Sequence, residues 1–357
     1  MTTAVSSREN PAPQRDEFVG SRKRHSGALA AAIVVILSAL LLALPLWNLA
    51  VLKWQQTHVV FPGNLYMVEG RSMRIYCTGT GSPVVILETG LGSSPDGWQI
   101  VQPKLSRLTT VCSYGRSGLG WSEPRSGPRD AEAIARQLHT LLNEAEVPRP
   151  VVFAAHSAGG LYVREYAREF PTDVAGVALV DSASPQQIDE LPGSRSEFEA
   201  EKRDEQRRLW LDKLQLWSGY PRLIGKCHFQ PPKGLENIAA LMNAEECRPE
   251  RVEANLRELL DVESASQQAG RLTTFGDKPL LVISEDPKRN NPEQAQAWER
   301  EQEQLKSLSP KSWRVIAEGS GHAVMLARPD LVVAEITKLV GYLRGDAVPP
   351  FGSTTAE

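Results

Sequence analysis

The sequence predicts an α/β protein: a mostly parallel, eight-stranded sheet flanked by helices, interrupted by a helical cap and preceded by one transmembrane helix. Three observations predict it. Apolar runs of strand length alternate with helical patterns from Pro83 to Val180 and again from Lys278 to Leu343, as a parallel sheet covered on both faces requires. Residues 185–277 carry no strand-like run. Ala28 to Trp47 is almost wholly apolar, and about 20 such residues in a helix cross a bilayer core.

From Ser26 to Leu52 there is no charged side chain. Arg15, Arg22, Lys23 and Arg24 precede this run, while only Lys53 closely follows. That bias puts the N-terminus in the cytoplasm and the rest of the chain on the far side, periplasmic or extracellular. Trp47 and Trp54 stand where interfacial aromatics belong. A cleaved signal peptide is the alternative, but the apolar core is long for one and lacks a clean small-x-small site. Residues 1–26, polar and proline-containing, read as a disordered cytoplasmic tail, and 27–52 as the anchor.

After a linker at 59–64, the β-prone runs Tyr66 to Gly70 and Met73 to Cys77 predict a hairpin. Pro83 to Glu88 is a continuous apolar strand running into the loop Thr89-Gly-Leu-Gly-Ser-Ser94. Trp98 to Leu108 is amphipathic and reads as a helix, and Thr109 to Tyr114 is the next strand. Asp130 to Ala145 keeps helical spacing through Ile134, Ala135, Leu138, Leu141 and Leu142. Val151 to Ala155 and Val174 to Val180 are strands separated by a helix from Ala158 to Phe170. The cap follows, with charged helical stretches at Glu197 to Trp217 and Pro249 to Ser264. Lys278 to Ile283 resumes the sheet, Pro292 to Leu308 is a polar helix, Ser312 to Ala317 the last strand, and Pro329 to Leu343 a closing amphipathic helix. The catalytic domain thus spans 66–345, and residues 346–357 read as a frayed end.

The 357 residues carry 40 Lys+Arg against 43 Asp+Glu, a net charge of −3. With no basic stripe interleaved with aromatics, the composition argues against a nucleic-acid partner. Nor does any residue set call for a metal or an organic cofactor.

Chemistry concentrates at Val151 to Leu161, where five apolar residues lead into Ser157. A strand-to-helix turn presenting a nucleophile needs small residues two before and two after it, here Ala155 and Gly159. A serine hydroxyl needs a base held by a carboxylate, and in an open α/β sheet such groups lie beyond the carboxyl ends of strands. Of six histidines, His322 alone follows a strand and is free to face Ser157, while His156, adjacent to Ser157, points away around the turn. Asp286, after the strand ending at Ile283, is the preferred acid. Asp181, ending the preceding strand, gives the same Ser–acid–His order and stays open as the alternative. The backbone N–H groups of Leu91 and Ala158 are the expected oxyanion donors.

These features, with Ser113-Tyr-Gly-Arg-Ser-Gly-Leu-Gly-Trp-Ser122, Glu88-Thr-Gly-Leu-Gly92, Leu179-Val-Asp181 and Ser320-Gly-His322, resemble the α/β-hydrolase fold superfamily over most of 66–343. The resemblance is to the branch with a helical cap between the sixth and seventh strands. It implies Ser157 as nucleophile, His322 as base and an acid at Asp286. A serine nucleophile, where dehalogenase and epoxide hydrolase members use aspartate, implies cleavage of a carboxylic ester or related acyl substrate, a small and lipid-like molecule, through an acyl-enzyme. A peptidase resembling proline iminopeptidase, a thioesterase and a ligand-binding protein of the same fold with little turnover are the alternatives. Relatives carry Asp where this chain has Gly115, a structural hydrogen-bonder whose loss questions local rigidity. The fold also implies that the second and fourth strands are neighbours, bringing Cys77 beside Cys112. Cys227 and Cys247 both lie in the cap, where a bridge closing about 20 residues contributes roughly 3 kcal/mol; an exported domain permits both disulfides.

Overall fold

The structure, a computed structural model, describes residues 18–357 apart from 192, 229, 232, 290–291 and 347. The first 17 residues of the expected cytoplasmic tail lie outside the described residues. The rest of it, residues 18–26, is helical and not disordered, because helix α1 runs from Phe18 to His58. Within it, Gly27–His58 is the one described helix long and apolar enough to cross a membrane, with a mean hydropathy of 2.8.

Nine strands form a single sheet in the order β1-β2-β4-β3-β5-β6-β7-β8-β9. They are β1 (Asn64–Val68), β2 (Arg71–Thr78), β3 (Val85–Glu88), β4 (Val111–Tyr114), β5 (Val151–His156), β6 (Val174–Val180), β7 (Leu280–Glu285), β8 (Ser312–Ala317) and β9 (Thr354–Ala356). β2 pairs antiparallel with β1 and β4, and every other pair is parallel. The expected eight strands are therefore one too few, and the expected frayed end is partly strand. Pro349 and Pro350 turn the chain back so that Gly352 donates to Ser312 O and Glu357 to Ile316 O.

Strands β3 to β8 read as unbroken apolar runs because both faces are covered. Along β5, Val151, Phe153 and Ala155 enter one core cluster while Val152 and Ala154 enter the other, the period of two that a strand imposes. The first cluster is closed by helices α2 (Ala131–Glu144) and α3 (Gly159–Glu169), and the second by the closing helix α7 (Pro329–Arg344) and by Trp98, Val101 and Leu105. Asp130 caps α2, accepting from Ala133 N at 2.9 Å. Where one helix was expected over 98–108, the structure has only a 3₁₀ turn, Pro95–Trp98, and a single α turn, Gln102–Leu105. Pro103 and the nearby turns keep either from extending.

The cap is helical as expected, built mainly from α4 (Ser194–Ser218) and α5 (Pro249–Ala269). Helix α6 (Pro292–Leu305) follows β7. Cys77 and Cys112 face each other in register across β2 and β4 and are joined, as are Cys227 and Cys247, leaving no free cysteine. Thiol alkylation without reductant should therefore label none of the four. Replacing Cys227 and Cys247 by serine should cost about 3 kcal/mol from the reopened loop, read as faster proteolytic nicking within the cap.

Candidate active site

Val151–His156 is buried along its whole length, and the chain reverses at Ser157 with φ of 53° before α3 begins at Gly159. That left-handed backbone is rare for a non-glycine residue and lifts the hydroxyl clear of the sheet. The turn closes only around small neighbours. A Cβ on Gly159 would lie 2.8 Å from Thr89 O, and one on Gly90 would lie 2.9 Å from Ser157 Cβ. Ala155 is fully buried in the core, so its methyl is accommodated.

His322, in the loop after β8, places Nε2 3.0 Å from Ser157 Oγ. Its Nδ1 lies 2.6 Å from Asp181 Oδ2. The acid that meets the histidine is thus Asp181, not Asp286. Asp181 is completely buried, and its second oxygen accepts from Glu285 N at 2.9 Å and the Trp298 indole at 3.0 Å. Asp286 turns the other way: it accepts from Gly319 N at 2.9 Å and Lys288 N at 3.0 Å. There it ties the start of one loop to the loop that carries His322. Burial alone would lower the pKa of His322, but its hydrogen bond and charge pairing with Asp181 outweigh this and hold it above the ordinary histidine value.

His156 points away from Ser157 as expected, and its Nε2 lies 2.8 Å from the His322 carbonyl. Burial and the neighbouring His322 push its pKa down to about 4, so it stays neutral and donates that bond. It is a strut for the His322 loop. Among the described residues, no acceptor is found for the Leu91 or Ala158 amides, which flank the Gly90 approach to Ser157.

Beneath this loop lies a buried ion network that the sequence did not announce. Arg116 bonds Glu88 Oε1 at 2.6 Å, Thr89 O at 3.0 Å and Gly90 O at 2.7 Å. It also grips both oxygens of Glu258, at 2.9 Å each. Glu258 sits on cap helix α5 and accepts from Gly92 N at 2.7 Å and from Arg129 at 2.8 Å. Burial would raise its pKa, yet the two arginines pull it down to about 2. A cleft of ≈ 470 Å³ opens alongside, from Leu91 to Ser93 on the body to Leu216, Pro221 and Asn255 on the cap. Glu132, Glu165 and Glu169 bring three carboxylates together, but Arg136 and Arg168 neutralise them.

Gly115 has a local explanation. A Cβ there would stand 2.5 Å from Leu119 O and 2.7 Å from Gly120 O, so the loop has closed over the space. Ser122 stiffens it instead, donating to Gly115 O at 2.7 Å while accepting from Arg74 N at 2.9 Å.

Residues 84–335 match the Alpha/beta hydrolase family. The chain belongs to that family. An uncharacterised protein of Schizosaccharomyces pombe is 26% identical over 78% of this chain, and Lipase 1 of Psychrobacter immobilis is 20% identical over 70% of it and 74% of that protein. The chain spans 56% of the length of the S. pombe protein and 39% of a probable transporter, efuK, of Hormonema carpetanum, to which it is 26% identical. Among solved structures, a thermophilic esterase from Thermogutta terrifontis aligns over 78% of this chain and 98% of its own, at 20% identity and a TM-score of 0.56. An epoxide hydrolase aligns over 79% of this chain and 99% of its own, at 18% identity and 0.58. Such likenesses establish the fold and leave the chemistry to the residues.

Trp298, Arg116 and Glu258 were missed as site residues. Arg116 stands in the motif of 113–122, but nothing local marks Trp298 or Glu258, whose partners lie more than a hundred residues away. Glu258→Gln leaves Arg116 and Arg129 short of a countercharge in the interior. It should destabilise the hydrolase by about 3–5 kcal/mol, measured as a lower urea midpoint.

Proposed function

We propose that this protein is a membrane-anchored serine hydrolase that cleaves an ester or related acyl bond outside the cytoplasm. The observation that carries the reading is the relay in which His322 lies 3.0 Å from Ser157 Oγ and 2.6 Å from Asp181. Ser157 Oγ attacks the acyl carbon as His322 Nε2 takes its proton. The amides of Leu91 and Ala158 receive the developing oxyanion, and the Ala158 amide opens α3, where the helix dipole adds to it. His322 then returns the proton to the leaving alcohol, and a water activated the same way releases the acid. Asp181 holds the imidazole tautomer and stabilises the imidazolium. Trp298 and Glu285 N keep the carboxylate aimed.

An acyl substrate is favoured because the nucleophile is serine. The anchor is supported by the apolar stretch of Gly27–His58 and by the basic residues that precede it. Two disulfides agree with a domain outside the cytoplasm.

A fluorophosphonate probe should label the wild-type protein and fail to label Ser157→Ala; an unlabelled, folded wild-type protein sinks the proposal. Only neutral His322 accepts the serine proton, so kcat/KM should fall with acid through a limb above the usual histidine pKa of about 6.5. Asp181→Asn removes what holds that pKa up. It should shift the limb toward lower pH and cut kcat by roughly 10³–10⁴-fold. Asp286→Asn should spare the limb and cost about 1–2 kcal/mol of stability through its two amide bonds; the opposite pattern would return the acid role to Asp286.

A further inference from the structure

The cap carries an apolar surface that the reaction leaves unused. On α4, Trp210, Leu214 and Trp217 follow one another at helical spacing and are 69%, 52% and 43% exposed. Leu211 flanks them, and Tyr220, Leu223 and Ile224 extend the patch beyond Gly219. Arg203 and Arg207, both exposed, project from the same face of α4. The opposite face is taken: Lys213 reaches across to Glu253 of α5 at 2.8 Å. Rings and aliphatic chains beside arginines make the surface of a helix lying at a bilayer interface, with the apolar groups in the acyl boundary and guanidinium groups among the headgroups.

The anchor places this face. Asn48, the polar residue where the apolar run ends, is only 1% exposed. It donates to Leu216 O at 2.8 Å, and its oxygen accepts from Arg222 Nε at 3.0 Å. Arg222 also reaches Gln55 at 3.3 Å. A Cβ on Gly219 would stand 2.7 Å from Asn48 Cβ and 3.1 Å from Leu44 O. The carboxyl end of α4 therefore abuts α1 between Leu44 and Asn48, the level at which Trp47 marks the edge of the apolar span. At 1.5 Å per residue, Trp217 back to Trp210 covers about 10 Å starting from that level.

We propose that the outer face of α4, with Tyr220 to Ile224, rests in the headgroup–acyl boundary of the bilayer that α1 spans. Arg203 and Arg207 sit on lipid phosphates. The inference rests on the anchor reading and deepens it. The cleft between α4 and α5 has Leu216 and Pro221 at its anchor side and Leu91 at the other. Leu91 follows Gly90, whose backbone packs closely on Ser157, and membrane lipid esters are the substrate class that a cap seated at the bilayer fits.

The test uses the full chain in nanodiscs of phosphatidylcholine and phosphatidylglycerol, with a nitroxide on Leu214→Cys or, as control, on Gln304→Cys. All four native cysteines are in disulfides, so the label is selective. The Leu214 nitroxide should relax more with oxygen than with a water-soluble nickel chelate, and the Gln304 nitroxide the reverse. An aqueous profile at Leu214, in protein that resists alkaline carbonate, overturns the interface and spares the anchor. Release by carbonate overturns the anchor, and the interface with it. Trp210→Glu combined with Leu214→Glu puts two carboxylates where the acyl boundary would be. The pair should lower turnover of a fluorogenic diacylglycerol ester in the nanodiscs about tenfold. Hydrolysis of a water-soluble acetate ester should be unchanged; no loss, or equal loss on both substrates, overturns the proposal.

Discussion

One buried guanidinium, that of Arg116, joins three parts of the chain around Ser157. Its hydrogen bonds end on the tip of β3, on the carbonyls of Thr89 and Gly90, and on Glu258 of the cap. A charge taken out of water this completely is stable only with countercharge and full hydrogen bonding. Glu88 and Glu258 supply the countercharge. Burial raises the pKa of Glu88, while Arg116 and Arg129 hold that of Glu258 down to about 2. The loop from Thr89 to Gly92 is therefore clamped from below by Arg116 and from the side by Glu258 on Gly92. The cap is part of the site's foundation as well as its roof.

The same economy appears in backbone conformation. Ser157 and Asp181 have φ of 53° and 45°, both in the left-handed region that residues other than glycine seldom enter. Each ends a parallel strand, β5 and β6, and each is held by its neighbour: Ser157 N bonds Val180 O, and Asp181 N bonds Ile283 O. Strain of this kind persists only where surrounding structure over-determines it. Here the sheet does so, and the two side chains converge on one imidazole.

Much of this was legible in the sequence. Strand runs bounded by turn residues, helical spacing in 130–145, and small residues around Ser157 are local signals, and each gave its element. His322 was recoverable because only one histidine follows a strand into a flexible loop. The acid was not, since Asp181 and Asp286 end adjacent parallel strands in the same chain order. What separates them is whether the backbone curls the carboxylate toward His322 or into the Gly319 loop. That depends on Trp298 and Glu285 N, which no local pattern reveals. β9 escaped notice because three exposed residues paired to an edge carry no apolar period.

Asn48 has a consequence for how the hydrolase is handled. Its amide answers carbonyl and guanidinium groups that belong to the cap, so α1 contributes to folding of the domain above it. Cutting the chain after His58 would strip Leu216 O and Arg222 of those partners and open the seat of Gly219. Rates measured on such a fragment would describe a cap that has lost its seat on α1.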